Sequence, residues 1–265
     1  MIVREDGEHL LLVRQADHAL LSGALAAAWG RPPWAVPEPY ASTVIGARLH
    51  DLAWTGFDET VPRRADGRPL SFLEVRRAVS TRLYARGIDA VEALDEYAGL
   101  LTSLHFSGFF VSHWGWRHAP DLELQGEERE AVERFLAGEG ARQRRLRHRL
   151  GIGPEREREL MCNYLWLQLW DRISLDVCRR GFTGWGADYP ATPVGLDPEA
   201  PRLSLHVELR PQGRCLLEPY PLLPDRLRAS IPAARIPLEA AGEPGCLRSA
   251  WASGAATIEV VFGAL

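Results

Sequence analysis

The feature that most constrains the fold of this chain is a long segment over residues 155–180 that has almost no polar face. Between residues 160 and 178, apolar side chains point in nearly every direction around a helix, which predicts a central, buried helix. Asp171 lies on one apolar stripe of this helix. An unpartnered buried carboxylate would cost several kcal/mol, so Asp171 needs a metal ion, an arginine or several hydrogen-bond donors.

Two histidines point toward the same predicted interior. His18 follows the i, i+3, i+7 spacing of the apolar stripe of a helix predicted over residues 17–29. His105 shares an apolar stripe of a second helix, predicted over residues 89–111. For His18 the alternative is a core histidine that bonds to a backbone carbonyl.

The adjacent pair His50 and Asp51 lies beside the apolar face of a helix predicted over residues 42–54, with Ser42 as its N-cap. A neighbouring imidazole and carboxylate can bind one metal ion, or the carboxylate can bridge two ions. Gly46, one turn earlier, is expected to leave space beside the imidazole. The alternative is a partly exposed polar pair near a helix end.

Two arginine-rich segments are candidates for binding anions. The loop over residues 55–70 directly follows the helix that carries the His-Asp pair. It contains Arg63, Arg64 and Arg68, which could hold an anionic substrate. The segment over residues 126–150 predicts a charged helix or helix pair, acidic first and basic later, as the helix dipole favours. In both segments the alternative is a set of solvated side chains.

Composition excludes several classes of function. The net charge is −4, which gives no basic field for nucleic acid or an anionic membrane, and no apolar run is long enough to span a bilayer. All 31 basic residues are arginine, so a lysine-based mechanism is excluded, and the chain has no Gly-x-Ser-x-Gly elbow of a serine hydrolase. The four cysteines lack zinc or redox spacing and predict reduced thiols in a cytoplasmic protein: Cys162, Cys178, Cys215 and Cys246.

The strand pattern lies near the two ends of the chain. Residues 1–14 predict an N-terminal β-hairpin, and period-two alternation predicts a small antiparallel sheet over residues 202–263. The glycine- and proline-rich residues 181–193 predict a loop. The expected fold class is α+β, a mainly α-helical core (residues 15–190) with a C-terminal β appendage (residues 195–265) packed on it.

The order His18, His50-Asp51, Asp171 resembles the metal-dependent HD-domain phosphohydrolase superfamily, and the resemblance covers residues 15–180. In HD domains a first histidine, a His-Asp pair and a late aspartate bind one metal ion. Some members add histidines between the pair and the final aspartate and bind two ions, and His105 matches such a position. The resemblance implies an HD-like helical core and metal ligands at His18, His50, Asp51, His105 and Asp171.

The residues after the pair depart from that pattern. Many HD domains continue with a glycine and a basic residue, whereas Leu52-Ala53-Trp54 follows here, so a phosphate-binding role directly after the pair is not implied. The chain also resembles a bacterial family of unknown function, which implies the fold but no activity. That second likeness is carried by the hairpin, Asp17-His18, Leu104-His105-Phe106 and Trp170-Asp171-Arg172-Ile173-Ser174.

The resemblance implies a metal-dependent phosphohydrolase or phosphodiesterase acting on a phosphorylated small molecule, with Asp51 also taking a proton from the attacking water. Mixed imidazole and carboxylate ligands favour Fe, Mn, Zn, Co or Ni, as one or two ions. One alternative is an HD-type di-iron oxygenase, which needs His105 and a further histidine. His113 and His118 are poor candidates because the helical pattern is lost around them. The other alternative is a non-catalytic protein with a polar core network.

Overall fold

A computed structural model of the chain describes residues 1–111, 124–197, 199–243, 245, 249, 251–252 and 255–265. Its principal helices, in chain order, are α1 (Gln15–Ala28), α2 (Tyr40–Leu49), α3 (Thr55–Glu59), α4 (Arg77–Leu94), α5 (Glu96–Gly108), α6 (Gly126–Arg149) and α7 (Pro154–Arg180). The strands are β1 (Ile2–Asp6), β2 (His9–Val13), β3 (Trp185–Pro193), β4 (Arg202–Arg210), β5 (Arg214–Glu218), β6 (Leu227–Pro237) and β7 (Ala255–Ala264).

The strands form one seven-stranded mixed sheet in the order β1-β2-β6-β7-β5-β4-β3. The N-terminal hairpin was predicted correctly, and its second strand pairs antiparallel with β6, from near the other end of the chain. Strands β5 and β7 pair in parallel, while the other neighbours are antiparallel. The two ends of the chain therefore meet in a single sheet.

The predicted fold class, a mainly α-helical core with a small C-terminal antiparallel sheet, is wrong. About 51% of the structure is helix and 24% is strand, and the sheet curls into a half-barrel. Strand β3 lies within residues that were predicted as a loop, and β6 lies within the predicted sheet region but was not assigned as a separate strand. Both contain prolines, which local reasoning takes as signs of a turn or an edge. The division of the chain near residues 14 and 190–195 stays a prediction.

Two helix boundaries differ from those predicted. The helix expected over residues 89–111 is broken at Asp95, whose Oδ1 accepts a hydrogen bond from the Ala98 backbone N–H at 2.8 Å and so caps α5. Helix α2 begins after Pro39 and ends before the His-Asp pair. Ser42 is not an N-cap, because it lies inside α2, and its hydroxyl donates to the Asp95 carboxylate at 2.8 Å. That bond ties α2 to the start of α5.

Helix α7 is the central helix, as its sequence predicted. Leu160, Trp166, Trp170 and Val177 have no exposed surface, and the helix packs against α1, β1 and β3. Its C-terminus is closed by Gly181, which adopts φ +65°. Among the described helices, none is both long enough and apolar enough to cross a membrane.

The basic half of α6 is held by acidic side chains from neighbouring helices. Arg142 forms ion pairs with Asp89 and Glu92 of α4 and with Glu139 of α6 itself. Arg147 pairs with Glu157 at 2.8 Å. These contacts give the arginines of α6 a role in joining α4, α6 and α7.

Glycines mark the closest approaches between the helices around the cluster of predicted ligands. A Cβ atom at Gly23 of α1 would lie 2.6 Å from Arg48 Cβ and 2.9 Å from Arg48 Cα on α2. A Cβ at Gly46 would lie 3.1 Å from Leu101 on α5. This glycine therefore makes room for the neighbouring helix, whereas the sequence had predicted that it leaves space beside the His50 imidazole. Helices α1, α2 and α5 can therefore approach each other closely.

Gly23→Ala is expected to destabilise the fold by roughly 1–3 kcal/mol, the usual cost of overpacking, because the new methyl group meets the Arg48 backbone. Chemical denaturation measures this change. Gly138→Ala is the matched control, since it also lies inside a helix but has no atom within 4 Å of the added Cβ. That control should be neutral or stabilising by up to about 1 kcal/mol, as helix propensity favours alanine. Equal effects of the two substitutions would contradict the close packing of α1 and α2.

Candidate metal centre

The structure brings the five predicted metal ligands together in the interior. His18 lies on α1, His105 on α5 and Asp171 on α7. His50 is the C-cap of α2, and Asp51 directly precedes a short 3-10 helix. None of the five residues is more than 4% exposed. Because the pair stands where the backbone leaves α2, its position differs from the helix interior that the sequence predicted.

Four of these side chains form a closed ring of alternating oxygen and nitrogen atoms. Asp171 Oδ1 lies 3.1 Å from His18 Nε2 and 3.2 Å from His50 Nε2. Asp51 Oδ2 lies 3.5 Å and 3.7 Å from the same two nitrogens. We call His18, His50, Asp51 and Asp171 the donor ring. The Asp171 carboxylate therefore lies close to both His18 and His50, two residues that the resemblance implied as its co-ligands.

The spacing of the donor ring fits a divalent ion. Metal–ligand bonds of about 2.1 Å place neighbouring ligand atoms about 3.0–3.4 Å apart in octahedral or tetrahedral coordination. The two contacts of Asp171 fall in that range, and the two contacts of Asp51 are a few tenths of an ångström longer. Small rotations of the Asp51 side chain would therefore complete the coordination.

The tautomer of His50 also favours a cation in the ring. His50 Nδ1 lies 2.8 Å from the Ala47 carbonyl oxygen, so Nδ1 carries a proton and donates it. A neutral His50 then presents a lone pair on Nε2 to the Asp171 carboxylate, which is also an acceptor. This contact is stable only with a proton or a metal ion between the two atoms. An imidazole whose second nitrogen donates to a backbone carbonyl is typical of metal-binding histidines.

The charges in the metal-free ring follow the same logic. Burial disfavours a charged His50, but the carboxylates of Asp51 and Asp171 outweigh burial and raise the pKa of His50 to about 9. Burial works against ionisation of Asp171 too, yet hydrogen bonds from His18 and His50 hold its pKa below the ordinary value. For Asp51, burial dominates and raises the pKa. In the metal-free ring the proton on His50 thus balances the Asp171 carboxylate, and a bound metal ion would take the place of that proton.

Histidines, rather than an arginine, are the described partners of the Asp171 carboxylate. His18 and His50 contact one carboxylate oxygen, and His105 Nε2 lies 3.9 Å from the other. Within the described part of the chain, no arginine contacts this carboxylate. The alternative in which Asp171 is the buried partner of an arginine is therefore not supported.

His105 lies beside the donor ring rather than within it. Its ring centroid is 5.0 Å from that of His50 and 4.8 Å from that of Phe109, and burial lowers its pKa to about 3. Two groups of three residues could each hold an ion, and both contain His50. Since His50 Nδ1 is engaged by Ala47, its one remaining nitrogen can bind one ion only. Among the described residues the geometry favours one ion, with His105 adjacent to it.

Two of the three loop arginines predicted to bind substrate have other described side-chain contacts. Arg64 pairs with Asp66 and Glu74, at 3.7 Å and 3.5 Å. Arg63 donates to backbone carbonyls of Gly67, Gly242 and Glu243. Arg68 lines a surface cavity beside the β1-β2 turn. Their role in substrate binding stays a prediction.

Three further residues considered in the sequence lie outside the described residues: the loop histidines His113 and His118, and Cys246.

Sequence reasoning missed two serines next to the ring. Ser22 Oγ and Ser174 Oγ are 3.0 Å apart, and both residues are fully buried. The available signal was their spacing, because Ser22 is four residues after His18 and Ser174 is three residues after Asp171. A polar residue one turn from a ligand on a buried stripe therefore indicates supporting contacts.

Comparisons with known proteins give a family but no activity. A family model described as a protein of unknown function, DUF3891, matches residues 1–237, which include the whole donor ring and His105. No curated protein and no solved structure matches the chain. Nothing in these comparisons links the matching family to the HD-domain superfamily.

Proposed function

Because the chain belongs to the DUF3891 family, whose function is unknown, we propose an activity from its own residues: a metal-dependent phosphohydrolase or phosphodiesterase of HD type. The substrate would be a phosphorylated small molecule. The observation that carries the proposal is the donor ring, in which two imidazole nitrogens and two carboxylate oxygens converge in the interior. The order of these residues along the chain is also the order that HD domains use.

The donor set favours a divalent transition metal. Two imidazoles and two carboxylates suit Fe, Mn, Zn, Co or Ni better than Ca or Mg, which prefer oxygen ligands. When bound, such an ion would polarise a phosphoryl oxygen and lower the pKa of a coordinated water.

The residues of the ring would have different roles. Asp171 has the two shortest contacts and would anchor the site together with His18 and His50. Asp51 is held at longer distances and comes from the segment just beyond the end of α2, so its carboxylate would accept the proton of the attacking water. General base catalysis of this kind typically contributes about 10²–10⁴-fold to a rate.

Hydrolysis of p-nitrophenyl phosphate and bis(p-nitrophenyl) phosphate by metal-loaded protein tests the proposal. Asp51→Asn is expected to lower the rate at least about 100-fold. Asp225→Asn, which changes an exposed carboxylate whose described partner is Arg31, is the matched control and should leave the rate unchanged. Absence of hydrolysis by the metal-loaded wild type, or equal rates for the wild type and Asp51→Asn, would refute the proposed activity.

Burial favours a second candidate, a structural ion in a non-catalytic protein. Structural sites are closed by protein ligands, whereas catalytic sites keep one position open, and no residue of the ring is more than 4% exposed. An ion that raises the unfolding midpoint without supporting any hydrolysis would favour this candidate. The di-iron alternative requires a second ligand set. The described residues do not supply one once His50 is used in the ring.

A further inference from the structure

We propose that Ser22 and Ser174 are positioning residues that hold α1 and α7 at the separation which the donor ring requires. The proposal rests on the proposed metal site. Ser174 Oγ donates to the Asp171 backbone carbonyl at 2.8 Å, so the Ser22 hydroxyl is the donor in the 3.0 Å contact between the two serines. The resulting chain of hydrogen bonds runs from α1 to the backbone of a metal ligand.

His18 is the residue that most needs this support. His50 is oriented by its own hydrogen bond to the Ala47 carbonyl. By contrast, His18 Nδ1 is buried and has no hydrogen-bond partner in the described residues. Apart from the Nε2 contacts inside the donor ring, the direction of the His18 ring therefore depends on the placement of α1, and the serine contact fixes α1 one turn beyond His18.

The serine contact meets α7 close to Asp171, the metal ligand that α7 would supply. Ser174 follows Asp171 by three residues, so both side chains lie on nearly the same side of the helix. A displacement of α1 along or around its axis would change the His18–Asp171 distance of 3.1 Å and the serine distance together. Both serines are fully buried, so water cannot replace the lost partner without rearrangement.

The test compares Co²⁺ affinity, measured by chelator competition, in the wild type, Ser22→Ala, Ser174→Ala and the double variant. Each single change is expected to weaken binding about 10–100-fold, the usual effect of losing a group that orients a ligand. The double variant should be no weaker than the single variants, because all of them lose the same contact. The visible spectrum of bound Co²⁺ should change as well.

Thr102→Val is the control, since it removes a buried hydroxyl whose hydrogen bond stays inside its own helix, to Ala98 O. Its Co²⁺ affinity should match the wild type. Ser22→Gly, which also removes the hydroxyl, is measured in case Ser22→Ala does not fold. Wild-type affinity in the folded serine variants would overturn the positioning role alone. Failure of the wild type to bind Co²⁺ would instead overturn the proposed metal site.

Discussion

Asp171→Asn is expected to weaken metal binding more than about 100-fold, because even outer partners of metal ligands are worth 10–100-fold. The substitution removes the charge from the oxygen that both His18 and His50 contact. The free energy of unfolding of the metal-free protein should change by less than about 2 kcal/mol, since a buried histidine that loses a carboxylate can release its proton. Metal content after dialysis and chelator-treated unfolding midpoints measure the two effects.

Asp176→Asn provides the matched control, because it changes a second buried aspartate of the same helix. Asp176 contacts Arg172, Arg180 and Tyr189 instead of histidines. The Asp176→Asn substitution should leave metal affinity unchanged and destabilise the fold by roughly 1–3 kcal/mol. The loss is smaller than for a fully buried ion pair, because both arginines are partly exposed to solvent. If both variants retained the same metal content as the wild type, Asp171 would not be a ligand.

Trp29→Ala is expected to destabilise the chain by about 3–5 kcal/mol, the usual cost of removing a large buried aromatic side chain. Trp29 directly follows α1 and is fully buried. Its ring lies 5.5 Å from that of Trp34, 6.3 Å from that of Trp166 and 5.7 Å from that of Trp170. The substitution would leave a cavity and remove the aromatic contacts between the end of α1 and the central helix α7.

Urea denaturation monitored by circular dichroism measures this loss. Trp185→Ala is the control, because Trp185 is a partly exposed tryptophan of β3 that packs under Arg180 at 4.2 Å. Its removal should cost roughly 1 kcal/mol, the scale of an exposed cation–π contact. A similar loss in both variants would mean that the tryptophan cluster between α1 and α7 does not stabilise the fold more than a surface contact.

The central helices and the residues that cluster between them were predictable because their signals are local. The apolar stripes of α1, α5 and α7 repeat within a few residues, and each includes a titratable side chain: His18, His105 and Asp171. Asp171 is the clearest case, because a carboxylate that is buried without a partner is strongly unfavourable and so must have one. That reasoning could not choose between a metal ion and an arginine. The choice depends on which helices cross at that point.

The sheet was less predictable because its pairings are long-range. Strands β3 and β6 contain Pro190 and Pro232 and so lack a clean strand pattern. The parallel pairing of β5 with β7, and the joining of the N-terminal hairpin to β6, have no local signature. The serine contact between α1 and α7 was hidden for the same reason, because it exists only where the two helices cross.

Elemental analysis of the purified chain tests the donor ring most directly. One divalent transition metal ion per chain is expected, because both groups of residues that could hold an ion contain His50, and His50 has a single free nitrogen. Removal of the ion by a chelator should lower the unfolding midpoint, and addition of Mn²⁺, Co²⁺ or Zn²⁺ should restore it. Two ions per chain would contradict the one-ion site, and no bound metal after incubation with any of these ions would contradict the site itself.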